Sequence, residues 1–192
     1  MLNRQKIEDA VRLFFDGAGI EITEGTVETP RRVAGYWAEL LAGQQYTNRQ
    51  IAEMFGKRFA VDTPTMIIKQ VDNVYSHCEH HLALMYNMRV TVAYLPPRRD
   101  DGKYQVIGLS KIPRMIDMCA KRLQLQERLG EDIAECLILA TGSPDVYVQI
   151  TADHACVCAR GAKSEGGTET VSKHGRFSDS PELCEEVQRR MP

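Results

Sequence analysis

Tyr86-Asn87-Met88-Arg89-Val90-Thr91-Val92-Ala93-Tyr94-Leu95 alternates, with Met88, Val90, Val92 and Tyr94 on one side and Arg89, Thr91 and Ala93 on the other. A period of two belongs to an extended chain, so the stretch predicts a strand with one face on a core. Pro96-Pro97 stops it, because proline has no N–H for a ladder. The polar run 98–103 then makes an exposed hairpin tip, and residues 104–107 are expected to return as the partner strand. Residues 66–75 read as a strand upstream. Downstream, Val146, Val148 and Ile150 alternate in another, expected to continue through 154–160.

Helical spacing governs the rest. Residues 4–16 place Ile7, Ala10, Val11 and Phe14 on one face, ended by Gly17 and Gly19. Thr29-Pro30 reads as a cap followed by proline in the first turn, opening a stripe of Val33, Ala34, Trp37, Leu40 and Leu41 closed by Gly43. A third helix is expected near 48–55. Ser110 is expected to cap a helix running to about 122. Leu125, Leu129, Ile133, Leu137 and Ala140 mark another to 141, with Gly142 as its stop. Residues 161–175 read as a loop, and Ser180-Pro181 as the start of a last helix. The expectation is a single α+β domain over 1–192: a helical part (1–60), a mainly antiparallel sheet with two helices packed on one face (61–178), and a C-terminal helix (179–192).

Composition narrows the function classes. A chain of 192 residues with net charge −2 and interspersed signs lacks the basic excess of a nucleic-acid or membrane-surface protein. No apolar run approaches the roughly 18 residues of a membrane span, and no secretory h-region opens the chain, so the cytoplasm is expected. The six cysteines are then expected as thiols, with Cys119, Cys136 and Cys184 inside helical patterns as small buried groups.

The other three lie beside histidines. Ser76-His77-Cys78-Glu79-His80-His81 puts a thiol and an imidazole three residues apart, close enough for one turn to aim both at one ion. Thiolate and imidazole suit Zn²⁺, but two ligands hold it poorly. A third is available in His154-Ala155-Cys156-Val157-Cys158, where an extended chain would put His154, Cys156 and Cys158 on one face. Spacing alone leaves either cysteine eligible. Three protein ligands and an open fourth position would make the site catalytic rather than structural. Ser110, Lys111 and Arg114 fall on the first turn of a helix, a place that favours anions such as phosphate. Gln126-Glu127 sets a carboxylate beside an amide, a pair able to read the N1–H and amino edge of guanine.

Five ordered motifs resemble those of type I GTP cyclohydrolases: Thr29-Pro30-Arg31-Arg32-Val33-Ala34, Cys78-Glu79-His80-His81, the run from Val106 to Arg114, Leu125-Gln126-Glu127-Arg128-Leu129, and His154-Ala155-Cys156 with Ala159-Arg160-Gly161. The likeness runs from about residue 7 to about 178. It implies the tunnelling fold and hydrolysis of GTP at purine C8, with loss of formate and rearrangement to 7,8-dihydroneopterin triphosphate, the first step of tetrahydrofolate and pterin biosynthesis. It implies Zn²⁺ on Cys78, His81 and Cys156, choosing Cys156 over Cys158. His80 and His154 resemble the histidines that handle protons. Glu127, supported by Gln126, resembles the guanine reader. Lys111, Arg114, Arg160 and Arg32 correspond to residues contacting the triphosphate, and Ser110 to a polar contact near the ribose. The family's assembly, two pentamers forming a homodecamer with active sites where subunits meet, is implied as well. His77 and Cys158 stand outside the motifs, His77 as a neighbour of the site and Cys158 as a packed strand residue. The competing classes are a zinc-stabilised interaction module and a tunnel-fold paralogue that acts on another purine or stops after ring opening.

Overall fold

A computed structural model describes residues 2–191. Three helices come first. α1 (Arg4–Gly17) is capped by Asn3, whose side chain accepts from the Lys6 N–H. α2 (Thr29–Leu40) has Pro30 in its first turn; Glu28 occupies the cap and makes no side-chain bond there, so Thr29 is already helical rather than the expected cap. A 3₁₀ turn, Ala42–Gln45, leads to α3 (Asn48–Phe55), held at its start by a Thr47/Gln50 capping box. Then come β1 (Arg58–Val61), β2 (Ile67–Cys78), β3 (Leu84–Tyr94), β4 (Tyr104–Ile107), α4 (Lys111–Ala120), β5 (Leu123–Gln124) and α5 (Gln126–Thr141). Gly142, at φ 77°, ends α5 in the left-handed conformation that glycine adopts without strain. The chain closes with β6 (Val146–His154), the single turn α6 (Ala155–Cys158), β7 (Thr168–His174), α7 (Arg176–Asp179) and α8 (Pro181–Arg190).

The main sheet runs β5-β2-β3-β6-β7, antiparallel except for the short β2–β5 pair. The strand at 104–107 exists but pairs elsewhere than expected: β4 lies against β1, from Arg58↔Ile107 to Val61↔Tyr104. The reason is that β2 and β6 occupy both edges of β3, leaving only an isolated Arg98–Tyr104 bridge at the hairpin tip. Two further corrections concern the C-terminal third. The extended chain stops at His154 and turns helical, and the expected loop at 161–175 contains β7, which lengthens the sheet through Val146↔His174 to Ala152↔Thr168. Ser110 has helical dihedrals and no side-chain cap bond, and α4 ends at Ala120. Ser180 does cap the last helix, accepting from the Leu183 N–H; Pro192, in the expected 179–192 helix, lies outside the described residues.

The core sits on one face of the sheet. Met88, Val90, Val92 and Tyr94 of β3 and Val146, Val148 and Ile150 of β6 are buried with Ile112, Met115, Ile116 and Cys119 of α4 and Leu129, Ile133 and Leu137 of α5. Each such large aliphatic contributes about 1.5–3 kcal/mol of burial. Cys119 and Cys136 touch at 3.5 Å inside this layer, and their mutual hydrogen bond with burial pushes the Cys119 thiol pKa well up. The other face of the sheet is divided. Ala93 and Tyr147 are buried beneath Phe177, Cys184 and Val187, so the side of β3 expected to be polar is half covered by α7 and α8. Arg89, Gln149, Thr151 and Glu169 line a polar hollow on the remainder. Among the described residues no helix is long and apolar enough to cross a membrane.

Candidate metal centre and active site

The turn joining β2 to β3 supplies the first two donors. Cys78 accepts at its carbonyl from Leu82 N–H (2.9 Å), and its own N–H reaches Ala83 O (2.9 Å), winding residues 78–82 into one closed turn. Side chains three apart on such a turn are neighbours, which puts Cys78 and His81 together. Leu82 closes the turn at φ 53°, a strained conformation for a branched side chain. Ser76 anchors the approach by donating to Ala120 O at 2.8 Å.

α6 supplies the third. Because residues 155–158 form a helical turn, Cys156 and Cys158, two apart, point to different sides. This corrects the expectation of a shared strand face, and it separates the cysteines. Cys158 Sγ lies 3.2 Å from the Tyr86 hydroxyl. Cys156 turns to Cys78, and the donor atoms of Cys78, His81 and Cys156 all lie within 4.8 Å of one another. Burial, and then the hydrogen bond and charge of Cys78, raise the Cys156 thiol pKa. A tetrahedral ion with Zn–S bonds of about 2.3 Å wants donors roughly 3.5–3.8 Å apart, a spacing that a group whose donors all lie within 4.8 Å of one another can supply. Two thiols and an imidazole therefore fit a borderline-soft divalent ion in both chemistry and spacing.

The remaining histidines and one arginine surround this group. His80 Nδ1 is 3.9 Å from Cys78 Sγ, and Arg160, one helical turn after Cys156, brings Nη1 to 3.2 Å from His81 Nε2. His154 ends β6 with Nε2 at 2.7 Å from Gln126 Oε1. The Gln126 amide nitrogen faces Ile150 O, Thr168 O and Thr170 Oγ1, which fixes which end of the amide is oxygen. His154 therefore carries its hydrogen on Nε2 and presents Nδ1 as the basic atom of the neutral ring. Gln126, expected at the guanine edge, is 2% exposed, and both ends of its amide are engaged inside the protomer.

A family model for GTP cyclohydrolase I matches residues 7–191. The chain belongs to the GTP cyclohydrolase I family. A protein named GTP cyclohydrolase 1 from Clostridium acetobutylicum is 46% identical over 167 residues, covering 83% of this chain and 82% of the relative. One of the same name from Clostridium beijerinckii is 42% identical over 194 residues, covering 97% and 95%. Among solved structures, that of an archaeosine synthase QueF-Like in the apo form aligns with a TM-score of 0.46 at 20% identity, covering 59% of this chain and 96% of that one.

In this GTP cyclohydrolase I family member, β5 and α5 brace the donor turn. Arg128 donates Nη2 to Glu79 Oε2 (2.6 Å) and to Leu123 O (2.7 Å), and Nε to Gln124 Oε1 (2.9 Å). Glu79 N–H also reaches Gln124 O at 3.1 Å. Glu127, the neighbour of Arg128 on the first turn of α5, is exposed and among the described residues takes no ion pair. Ser110, Lys111 and Arg114 sit at the start of α4, and Arg32 on α2; within one chain no hydrogen bond or ion pair among the described residues ties these four to the donor group. Sequence reasoning passed over Arg128, Tyr86 and Tyr36. The Arg128 signal was an arginine inside the Leu125–Leu129 motif; the two tyrosines had none.

Proposed function

We propose that the protein converts GTP to 7,8-dihydroneopterin triphosphate with release of formate, using Zn²⁺ held by Cys78, His81 and Cys156. The convergence of those three donors from two distant stretches of chain carries the reading. When bound, the ion supplies Lewis-acid activation of water near neutral pH, directed at purine C8. Three protein donors leave a fourth position for that role.

The chain's own groups divide the remaining work. Glu127, exposed at the start of α5, accepts from guanine N1–H and the 2-amino group, which adenine cannot satisfy. His154, held through Nε2 by Gln126, takes or returns a proton at Nδ1, and His80 beside Cys78 is the second proton carrier. Gln126 contributes through the orientation of His154. Lys111, Arg114, Arg160 and Arg32 bind the triphosphate, each charge-assisted bond contributing about 1.5–3 kcal/mol, and Ser110 meets the ribose.

The site draws on more than one copy of the chain. Leu13 and Phe14 of α1 are 71% and 66% exposed, and among the described residues β7 leaves a free edge, features that packing between copies would cover. A homodecamer acting in the cytoplasm, with the α4 start of one copy facing the metal group of another, is consistent with both. The test is to incubate the purified protein with GTP, with and without a chelator, following formate and pterin absorbance together. Both products, lost on chelation, are expected. Formate without pterin would mean an enzyme that stops after ring opening, and neither product from folded, metal-loaded protein would overturn the reading.

A further inference from the structure

His77 precedes Cys78 on β2, and the two-residue period of a strand turns its side chain to the opposite face. It is 2% exposed, and its Nε2 lies 2.7 Å from the hydroxyl of Tyr36 on α2. The imidazole also meets two aromatic rings edge-on, Tyr36 at 5.7 Å and Trp37 at 4.9 Å between centroids, while Tyr36 and Trp37 contact each other at 5.4 Å. An apolar side chain would fill this space without needing a partner. A buried imidazole needs one, and the Tyr36 hydroxyl provides it.

The clasp has mechanical importance because the α1–α2 pair is otherwise lightly seated. Phe15 is the buried residue of α1, and Pro30 and Ala34 those of α2. Apolar contact lets a helix slide or rotate, whereas a directional bond to a ring fixed on the sheet does not. Arg32 lies one helical turn before Tyr36, on the same side of α2, and among the described residues its guanidinium takes no hydrogen bond or ion pair.

We propose that His77 is a positioning residue: through Tyr36 and Trp37 it fixes α2 against the end of β2 and so sets where Arg32 meets the substrate triphosphate. The proposal rests on the reading of Arg32 as a triphosphate contact. It gives one residue two duties, since the strand that delivers Cys78 to the metal group also registers the helix that delivers Arg32 to the anion. Misplacement of a binding group by about 1 Å is enough to be felt in kinetics.

Tyr36→Phe, Arg32→Ala and the double variant, compared in the full zinc-loaded protein with GTP, test it. Tyr36→Phe deletes the hydroxyl and keeps the ring. It is expected to raise KM roughly three- to tenfold, the range of one lost hydrogen bond, with kcat within twofold and metal content unchanged. Arg32→Ala is expected to raise KM at least as far, and the double variant to be no worse than Arg32→Ala alone. Independent, multiplying effects would reduce the clasp to packing and overturn the proposal. An unchanged KM in Tyr36→Phe beside a raised one in Arg32→Ala would overturn the clasp and leave the Arg32 contact standing. An unchanged KM in Arg32→Ala would remove the triphosphate contact and the proposal with it. Lost metal in Tyr36→Phe would mean that the clasp supports the Cys78 turn, overturning the route through Arg32.

Discussion

Nε2 of His154 lies 2.7 Å from Oε1 of Gln126, joining the last residue of β6 to the first of α5. The opposite end of the same amide is spent on Ile150 O, Thr168 O and Thr170 Oγ1, so one buried side chain fixes β6, β7 and the orientation of the histidine. Gln126→Leu keeps much of the volume and strands all of these partners. It should cost about 1–3 kcal/mol of stability, read as a lower urea midpoint. GTP turnover should fall by more than the loss of folded protein explains, because the His154 ring is freed to rotate. A folded Gln126→Leu protein with unaltered turnover would remove Gln126 from the site.

Cys156 and Cys158 differ in what one helical turn gives them, Cys78 in the first case and the Tyr86 hydroxyl in the second. Cys156→Ser should lose bound zinc, measured by elemental analysis, together with pterin formation. Cys158→Ser should retain both. The reverse pattern would mean that the metal group is built on the other thiol. Prolonged chelation of the unaltered protein should abolish pterin formation, and Zn²⁺ should restore it.

Under the proposed function, adjacent residues at the start of α5 have separable tasks. Glu127→Gln replaces an acceptor by a group that also offers a donor to guanine, so GTP turnover should drop steeply at normal zinc content. Arg128→Lys loses the fork that holds Glu79, Gln124 and Leu123 at once, and a single ammonium cannot reproduce it. Its effect should fall on the metal, weakening zinc affinity by roughly tenfold in competition with a chromogenic chelator. Equal zinc affinity in Arg128→Lys would show that the 78–82 turn holds its shape unaided.

Most of the core was legible because its signals are local. The alternation of Met88, Val90, Val92 and Tyr94 and the helical stripe from Leu129 to Ala140 each depend on one element having one wet face. Errors gathered where a partner element decides. Nothing inside Tyr104–Ile107 reveals that both edges of β3 are taken, and nothing in the polar Thr168–His174 announces that β6 has a free edge to receive it. At the site, Cys78 and His81 were readable from a three-residue spacing. The choice between Cys156 and Cys158 was not, because it turns on whether the chain stays extended past His154. The Tyr36–His77 bond spans 41 residues and belongs to no local pattern at all.

Gly43 was expected merely to close a helix, yet its position is dictated by close approach. A Cβ built there would clash with Met118 O and lie 2.9 Å from Lys121 O, both backbone atoms at the end of α4. The same residue donates its N–H to Lys121 O at 2.9 Å and accepts at its carbonyl from Arg122 Nε at 3.3 Å, so the 3₁₀ turn and the end of α4 are pressed together. Neither backbone can retreat cheaply, because Arg122 is also bound to Asp132 at 2.9 Å and to Asn48 at 2.7 Å. Gly43→Ala should therefore destabilise the protein by about 1–3 kcal/mol, the ordinary cost of overpacking, or more if the turn detaches. The neighbouring β5 carries Gln124, which receives Arg128 Nε, so a detached turn should also loosen the metal group. Urea melts with and without added Zn²⁺ separate the two effects: a loss of the same size in both means overpacking alone. A stability within about 0.5 kcal/mol of the unaltered protein, the range of ordinary surface substitutions, would show that α4 and the turn can part without cost.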